Sequence, residues 1–237
     1  MSDDVMIGVP NKGDAMLNRL MVALDVNGRD AALQMRDRLG DSVGWLKVGL
    51  RLFVAEGPVL VRELNQSHRL FLDLKFHDIP NTVAQAVESA GGLGVNMINV
   101  HAGGGSEMLN SAAQAAAAFP DMSLIAVTVL TSDPMPKEQA KMVALERAKM
   151  AQDAGLNGVV CSVFEAAAIK AACGSEFITV TPGIRWGGQD VQDQKRVADP
   201  ASAIAGGSDF LVVGRPILHA VDPRQAALEA LSLMRSA

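Results

Sequence analysis

The feature that most constrains this chain is a repeated alternation of two kinds of segment. A short β-rich apolar run is followed by a glycine or polar turn and then by a longer stretch whose apolar residues recur at helical spacing. The runs at 21–25, 45–49, 70–75, 97–101, 124–128, 158–161, 177–181 and 210–214 read as strands. Between and after them, 31–39, 83–90, 111–118, 141–154 and 226–234 read as helices. Asp222 before Pro223 fits an N-cap followed by proline at the first helical position, where the missing N–H costs nothing, and Asp199 before Pro200 reads likewise. Eight strands alternating with helices, without a linker-like Pro/Gly/Ser tract, predict an α/β chain folded as a single (β/α)8 TIM barrel over residues 1–237, with 1–20 as an N-terminal extension. An open doubly wound sheet would place a glycine-rich dinucleotide turn after the first strand. The residues there are Asp25-Val26-Asn27-Gly28-Arg29-Asp30, which lack that fingerprint.

Composition narrows the function classes. A hydrophobic content of 49% can fill a large core, and 20% charged residues is ordinary for a soluble domain. No run approaches the roughly 18 apolar residues of a membrane span, and 1–11 lack a basic-then-apolar signal pattern, so a cytoplasmic protein without membrane partners is expected. Cys161 and Cys173 lie twelve positions apart with no CxxC and no nearby histidine pair, which predicts reduced packing residues rather than a disulfide or zinc site. A net charge of −5 disfavours nucleic-acid binding, because that needs a basic face to displace phosphate counterions. A site for a small anion must then be locally basic.

In a barrel of this kind the chemistry sits at the carboxyl ends of the strands. There the sequence puts Asp25 at the end of the first strand, Lys47 in the second, Asp73 and Lys75 in the third, and His101 at the end of the fourth. Side chains alternate faces along a strand, so Asp73 and Lys75 share one face while Leu72 and Leu74 share the other. The leucines would pack beneath the helices, and the charged pair would point into the barrel mouth beside Lys47. In isolation, an Asp-x-Lys at a strand end reads equally well as a solvated or structurally paired feature.

The longer string shifts that balance. Asp73-Leu74-Lys75-Phe76-His77-Asp78-Ile79-Pro80-Asn81-Thr82 closely resembles the signature of the orotidine monophosphate decarboxylases. The resemblance continues, in family order, at Ala23-Leu24-Asp25, Leu46-Lys47-Val48-Gly49, Val127-Thr128-Val129-Leu130-Thr131-Ser132, Thr181-Pro182-Gly183-Ile184-Arg185 and Val213-Gly214-Arg215-Pro216. It covers nearly the whole chain after about Leu20, although the segment after Ser132 is shorter than in some bacterial members.

The resemblance implies decarboxylation of orotidine 5′-phosphate to uridine 5′-phosphate (UMP) in pyrimidine biosynthesis, with no cofactor and no metal. It also implies an alternating network of Lys47, Asp73, Lys75 and Asp78, with Asp78 contributed across a homodimer interface. Neighbouring carboxylates favour the ammonium form of each lysine. Loss of carbon dioxide leaves electron density at C6 of the pyrimidine, and Lys75 would stabilise and then protonate that carbon. Asp73 would face the substrate carboxylate and is assigned electrostatic organisation only.

Asp25 and Lys47 would bind ribose hydroxyls, Thr82 would add a contact from the partner, and Thr131 or Ser132 would meet the base. Gly183 and Arg185 follow the seventh strand and Gly214 and Arg215 the eighth, where barrels commonly build a phosphate site. Arg215 is the leading phosphate ligand. The polar stretch 186–199, with Gly187 and Gly188, reads as a loop on the active-site face, and by resemblance it is a phosphate-closing lid whose Gln194 reaches phosphate and pyrimidine. His77 and His101 read more simply as packing or hydrogen-bonding residues. The twelve methionines, among them Met97, Met142 and Met150, read as core filler.

Two rival functions remain in view. A metal-dependent sugar-phosphate decarboxylase or aldolase of the same barrel group could use acidic residues and His101 to hold magnesium, but the 77–82 continuation and the Gln194 segment favour the nucleotide. A catalytically silent barrel that binds a uridine nucleotide would tolerate loss of Lys75, which is present.

Overall fold

The computed structural model describes residues 16–130, 132–187 and 198–237. Strands β1 (Leu20–Ala23), β2 (Trp45–Gly49), β3 (Arg69–Phe76), β4 (Met97–His101), β5 (Ser123–Val127), β6 (Gly158–Val160), β7 (Ile178–Thr181) and β8 (Phe210–Val213) pair in parallel in sequence order. β1 pairs with β8 through Leu20 opposite Leu211, which closes the barrel. Helices α1 (Gly28–Leu39), α2 (Leu50–Leu64), α3 (Pro80–Gly91), α4 (Gly105–Ala116), α5 (Lys137–Asp153), α6 (Val163–Cys173), α7 (Pro200–Ala205), α8 (Arg215–Leu218) and α9 (Pro223–Arg235) follow the strands. The chain is therefore the (β/α)8 barrel that its alternation predicts.

Local chemistry explains several helix starts. The Asp222 carboxylate accepts from the Gln225 N–H and Asp199 from the Ser202 N–H, each before a proline that opens its helix. The α6 start, which the apolar pattern alone did not mark, is held by the Ser162 N–H donating to Glu165 at 3.0 Å. Most boundaries differ from expectation by a few residues, and helix starts by up to six, as at α4, which opens at Gly105 instead of Ser111. β1 stops at Ala23, because the Asp25 N–H turns back to the Ala23 carbonyl at 2.9 Å, and α4 stops at Ala116. At the amino end, Leu17 is buried and Leu20 opens β1, so the barrel begins inside the 1–20 segment read as an extension.

The alternation of strand side chains divides the core in two. Outward residues such as Val22, Leu46, Val48, Leu70, Leu72, Ile98 and Val100 pack against the helix layer. Inward residues Met21, Ala23, Trp45, Phe71, Met97, Ile125, Val180 and Val212 fill the barrel. Met97 thus belongs to the core as expected and Met150 packs against it, but Met142 is 66% exposed on α5 and fills nothing. Both cysteines are buried free thiols, and burial pushes the Cys161 thiol far up. Among the described residues no helix is long and apolar enough to cross a membrane.

Candidate active site

The inner core also locates the site. One period-two step beyond Trp45, Phe71 and Met97, toward the carboxyl ends, come Lys47, Asp73 and Asn99. An apolar plug therefore forms the floor beneath a polar mouth.

Lys47 is only 7% exposed, and its Nζ lies 3.3 Å from Asp25 Oδ1 and 3.3 Å from Asp73 Oδ2. The other oxygen of Asp73 receives Lys75 Nζ at 2.6 Å and Asn99 Nδ2 at 2.7 Å. Burial pushes the Asp73 carboxyl upward, but Lys47, Lys75 and the hydrogen bonds from Lys75 and Asn99 outweigh it and hold the group below the usual carboxylate range. Asp25, Lys47, Asp73 and Lys75 thus form one chain of alternating charge.

Gly49 makes room for it. A Cβ there would lie 3.0 Å from Lys47 Nζ, so any side chain would crowd the ammonium.

Lys75 takes an unusual backbone conformation to reach this place. Its φ of 54° is the only positive value at a non-glycine among the described residues. Ile98 and Val100 on β4, two residues apart, pair with Leu72 and Phe76 on β3, four residues apart, so β3 bulges between them. Within the bulge the Lys75 N–H donates to Asn99 Oδ1 at 2.8 Å.

His77 and His101 are not isolated. Their rings stack at 5.1 Å with 10° between planes, and His101 Nδ1 accepts from the Gly103 N–H at 3.0 Å. Burial, then His77, Arg147 and Lys75, hold the His101 imidazole below its ordinary value against the opposing pull of Asp133. Arg147 of α5, which the sequence pattern did not single out, donates to the Thr128 carbonyl at 2.6 Å behind this pair.

The remaining expected residues that the structure describes follow the carboxyl ends of other strands. Gly214 ends beside the network, since a Cβ there would lie 3.6 Å from Asp25 Oδ2, and Arg215 opens α8 directly after it. Gly183 and Arg185 are tied to the far end of the following loop by the Arg185 N–H to Ala198 carbonyl bond of 2.9 Å and the Ala198 N–H to Gly183 carbonyl bond of 3.3 Å. Ser132 is exposed, whereas Thr131 and Gln194, and with them most of the expected lid, lie outside the described residues.

Asp78 and Thr82 do not join the cluster within their own chain. Both are exposed at the start of α3, and Asp78 Oδ1 accepts from the adjacent Ile79 N–H at 2.7 Å. Among the described residues no group of three or more His, Cys, Asp or Glu side chains gathers as metal ligands, because the carboxylates of the mouth face lysines.

Asn99, Gly49 and Arg147 are the residues that the sequence reading missed. Asn99 had a signal: it lies on the inward step between Met97 and His101.

Comparison with known proteins adds an independent line. The family model described as "Orotidine 5′-phosphate decarboxylase / HUMPS family" matches residues 18–230. A protein of Pseudoalteromonas translucida named orotidine 5′-phosphate decarboxylase is 49% identical over 86% of this chain and 92% of its own length. One of the same name from Shewanella sediminis is 48% identical over 90% and 94%. Among solved structures, orotidine 5′-phosphate decarboxylase from Lactobacillus acidophilus is similar with a TM-score of 0.79 and 36% identity, covering 91% of this chain and 98% of that one. An uncharacterized conserved protein from Geobacillus kaustophilus is similar with a TM-score of 0.77 and 33% identity, covering 91% and 99%.

Proposed function

Because the chain belongs to the orotidine 5′-phosphate decarboxylase / HUMPS family, we propose that it is a carboxy-lyase that converts orotidine 5′-phosphate to UMP and carbon dioxide in pyrimidine biosynthesis, without a cofactor. The observation that carries this reading is the ammonium of Lys75 held 2.6 Å from the partly buried Asp73 carboxylate at the barrel mouth. In the reaction, the bond from C6 to the carboxylate carbon breaks and its electron pair stays on C6. The Lys75 ammonium stabilises that pair and then gives C6 a proton, after which the amine recovers a proton from solvent. Charge fixed in advance acts where negative charge develops only in the transition state, so it lowers the barrier without tightening the ground state equally.

The other residues take supporting parts. Asp73 holds Lys75 and Lys47 in place. Asp25 and Lys47 bind ribose hydroxyls, while Thr131 or Ser132 meets the base. Arg215, with Arg185 and the Gly214 backbone, holds the phosphate, and Gln194 closes over it from the loop. Remote phosphate contacts of this kind supply binding energy that orients the reacting carbon. Asp78 and Thr82 complete the site of a second copy in a homodimer, a reading supported by their exposure and by the ion pairs of the cluster, which join Asp25, Lys47, Asp73 and Lys75 without Asp78.

The test is a spectrophotometric assay of the purified protein with orotidine 5′-phosphate, with and without a chelator. Turnover that the chelator leaves unchanged is expected. Absence of turnover in the folded protein overturns the reading, and turnover lost to the chelator would return it to metal-dependent chemistry.

A further inference from the structure

We propose that Asn99 is the positioning residue of this site: its side-chain amide fixes both the Asp73 carboxylate and the left-handed backbone of Lys75, and so sets the aim of the Lys75 ammonium. The kinetic part of this inference rests on the proposed decarboxylation, whereas the geometric part does not.

Asn99 is 0% exposed, and both ends of its amide are used. The oxygen accepts from the Lys75 N–H at 2.8 Å and the nitrogen donates to Asp73 Oδ1 at 2.7 Å. That same Asp73 oxygen receives Lys75 Nζ at 2.6 Å. The three residues therefore close a ring, in which one rigid amide measures the distance between the carboxylate and the lysine backbone.

The bulge shows why such a brace is needed. A non-glycine residue at positive φ persists only where its surroundings over-determine it. The register shift opposite Ile98 and Val100 removes the regular ladder at Lys75, and the Asn99 oxygen takes its N–H instead. A buried N–H without a partner would be costly, so the Asn99 bond decides between this conformation and a regular strand. In a regular strand Lys75 would stand at a different height.

Only one residue type meets the demand at this reach. Aspartate could accept from the Lys75 N–H but would set a second carboxylate against Asp73, leucine could do neither, and glutamine is one methylene longer. The charged and titratable groups around Asn99 are Lys47 from β2, Asp73 and Lys75 from β3, and His101 from β4, with Arg147 of α5 behind His101. On the β5 side its register partner is Ile125.

The experiment compares the parent protein with Asn99→Ser and Asn99→Asp, folding being checked by circular dichroism. Three quantities are read: hydrogen exchange of the Lys75 amide, the titration midpoint of Asp73 by NMR with Asp73→Asn as the assignment control, and kcat and KM for orotidine 5′-phosphate. In Asn99→Ser the Lys75 amide should exchange at least about tenfold faster, and the Asp73 midpoint should rise. Misplacing the ammonium should lower kcat by about 100-fold, with KM changed less than about threefold because ribose and phosphate contacts remain.

Asn99→Asp separates the two functions of the amide. Lys75 should stay protected, since its acceptor is kept, while the Asp73 midpoint rises and kcat falls because two carboxylates must share the site. A merely structural asparagine would lower the melting temperature and leave the Asp73 midpoint, the Lys75 exchange and kcat per folded molecule unchanged. That result overturns the proposal. If Asn99→Ser does not fold, the Lys75 exchange and the Asp73 midpoint are read in Asn99→Thr, with the same outcomes expected and the same outcome overturning the proposal. Should the parent itself fail to turn over orotidine 5′-phosphate, the proposed function falls and the two NMR readings alone decide the role of Asn99.

Discussion

Replacing Lys47 with methionine tests whether the mouth network stabilises the fold as well as serving the chemistry. Among the described residues Lys47 makes two ion pairs of equal length, 3.3 Å, but they are not of equal worth. Asp25 has 61% of its side chain exposed, so its contact is screened and counts for less than about 1 kcal/mol. Asp73 has only 14% of its side chain exposed, and at that separation Coulomb attraction in an effective dielectric of 20 is about 5 kcal/mol before desolvation. Removing one partner of a buried pair typically costs about 3–5 kcal/mol, because the other charge is stranded. Asp73 keeps Lys75 and Asn99, which places the expected loss at the lower end, about 3 kcal/mol.

Urea unfolding at pH 7 should show that loss with an unchanged m-value, and the melting temperature should fall by about 6–12 °C for a chain of this size. The loss should also depend on pH. Asp73 has a depressed folded-state value, so its contribution is full above the unfolded carboxylate value of about 3.9 and disappears as pH falls through the folded one. The difference between parent and Lys47→Met should therefore shrink as Asp73 becomes protonated. A loss under about 1 kcal/mol at pH 7, or one that stays undiminished once NMR shows Asp73 protonated, would refute this account of the network.

Lys75→Ala should nearly abolish decarboxylation while circular dichroism and melting remain close to those of the parent, since Lys75 is the more exposed lysine; near-normal turnover would reject it as proton donor. Mixing Lys75→Ala with Asp78→Ala should restore activity, because a heterodimer carries one doubly altered site and one with both residues intact; demonstrated subunit exchange without recovery would place Asp78 in its own chain's site or the interface elsewhere. His68 is buried, with Nε2 2.9 Å from the Gly40 carbonyl, and burial holds its imidazole below the ordinary value. Its contribution is full above about pH 6.5 and is lost as pH falls toward the folded value, so His68→Gln should flatten the decline in melting temperature between pH 7 and 5; equal slopes would exclude His68 as a source.

The barrel was legible because its signal is periodic and repeated. Each strand has a two-residue alternation whose outward half meets a helix, so an error at one strand leaves the count intact. The site was legible in part for the same reason: Lys47 and Asp73 sit one inward step above Trp45 and Phe71. Asp25 was placed by its position, although it lies in a turn beyond β1 rather than in the strand. What sequence could not show was the bulge, since a register shift is a relation between β3 and β4 and not a property of either string. The left-handed Lys75, and the bond that Asn99 makes to its N–H, follow from that relation. Met142 illustrates the converse, where an apolar residue type on a helix was read as buried although its position on α5 faces outward.

The two lysines of the network differ in a way that bears on which one can give up a proton at every turnover. Lys47 has 9% of its side chain exposed and carboxylates on two sides, so a proton lost there would leave Asp25 and Asp73 facing a neutral amine that solvent hardly reaches. Lys75 has 38% of its side chain exposed and, among the described residues, a single carboxylate partner, so its amine could meet water again once the product has left. Loss of its proton leaves Asp73 still paired with Lys47 and bonded to Asn99. On the proposed reading the donor is therefore the lysine at the open end of the chain of charges, and the closed end keeps Asp73 ionised while the donor is neutral. The two lysines accordingly meet different oxygens of one carboxylate, Lys47 at Asp73 Oδ2 and Lys75, from within the bulge, at Oδ1.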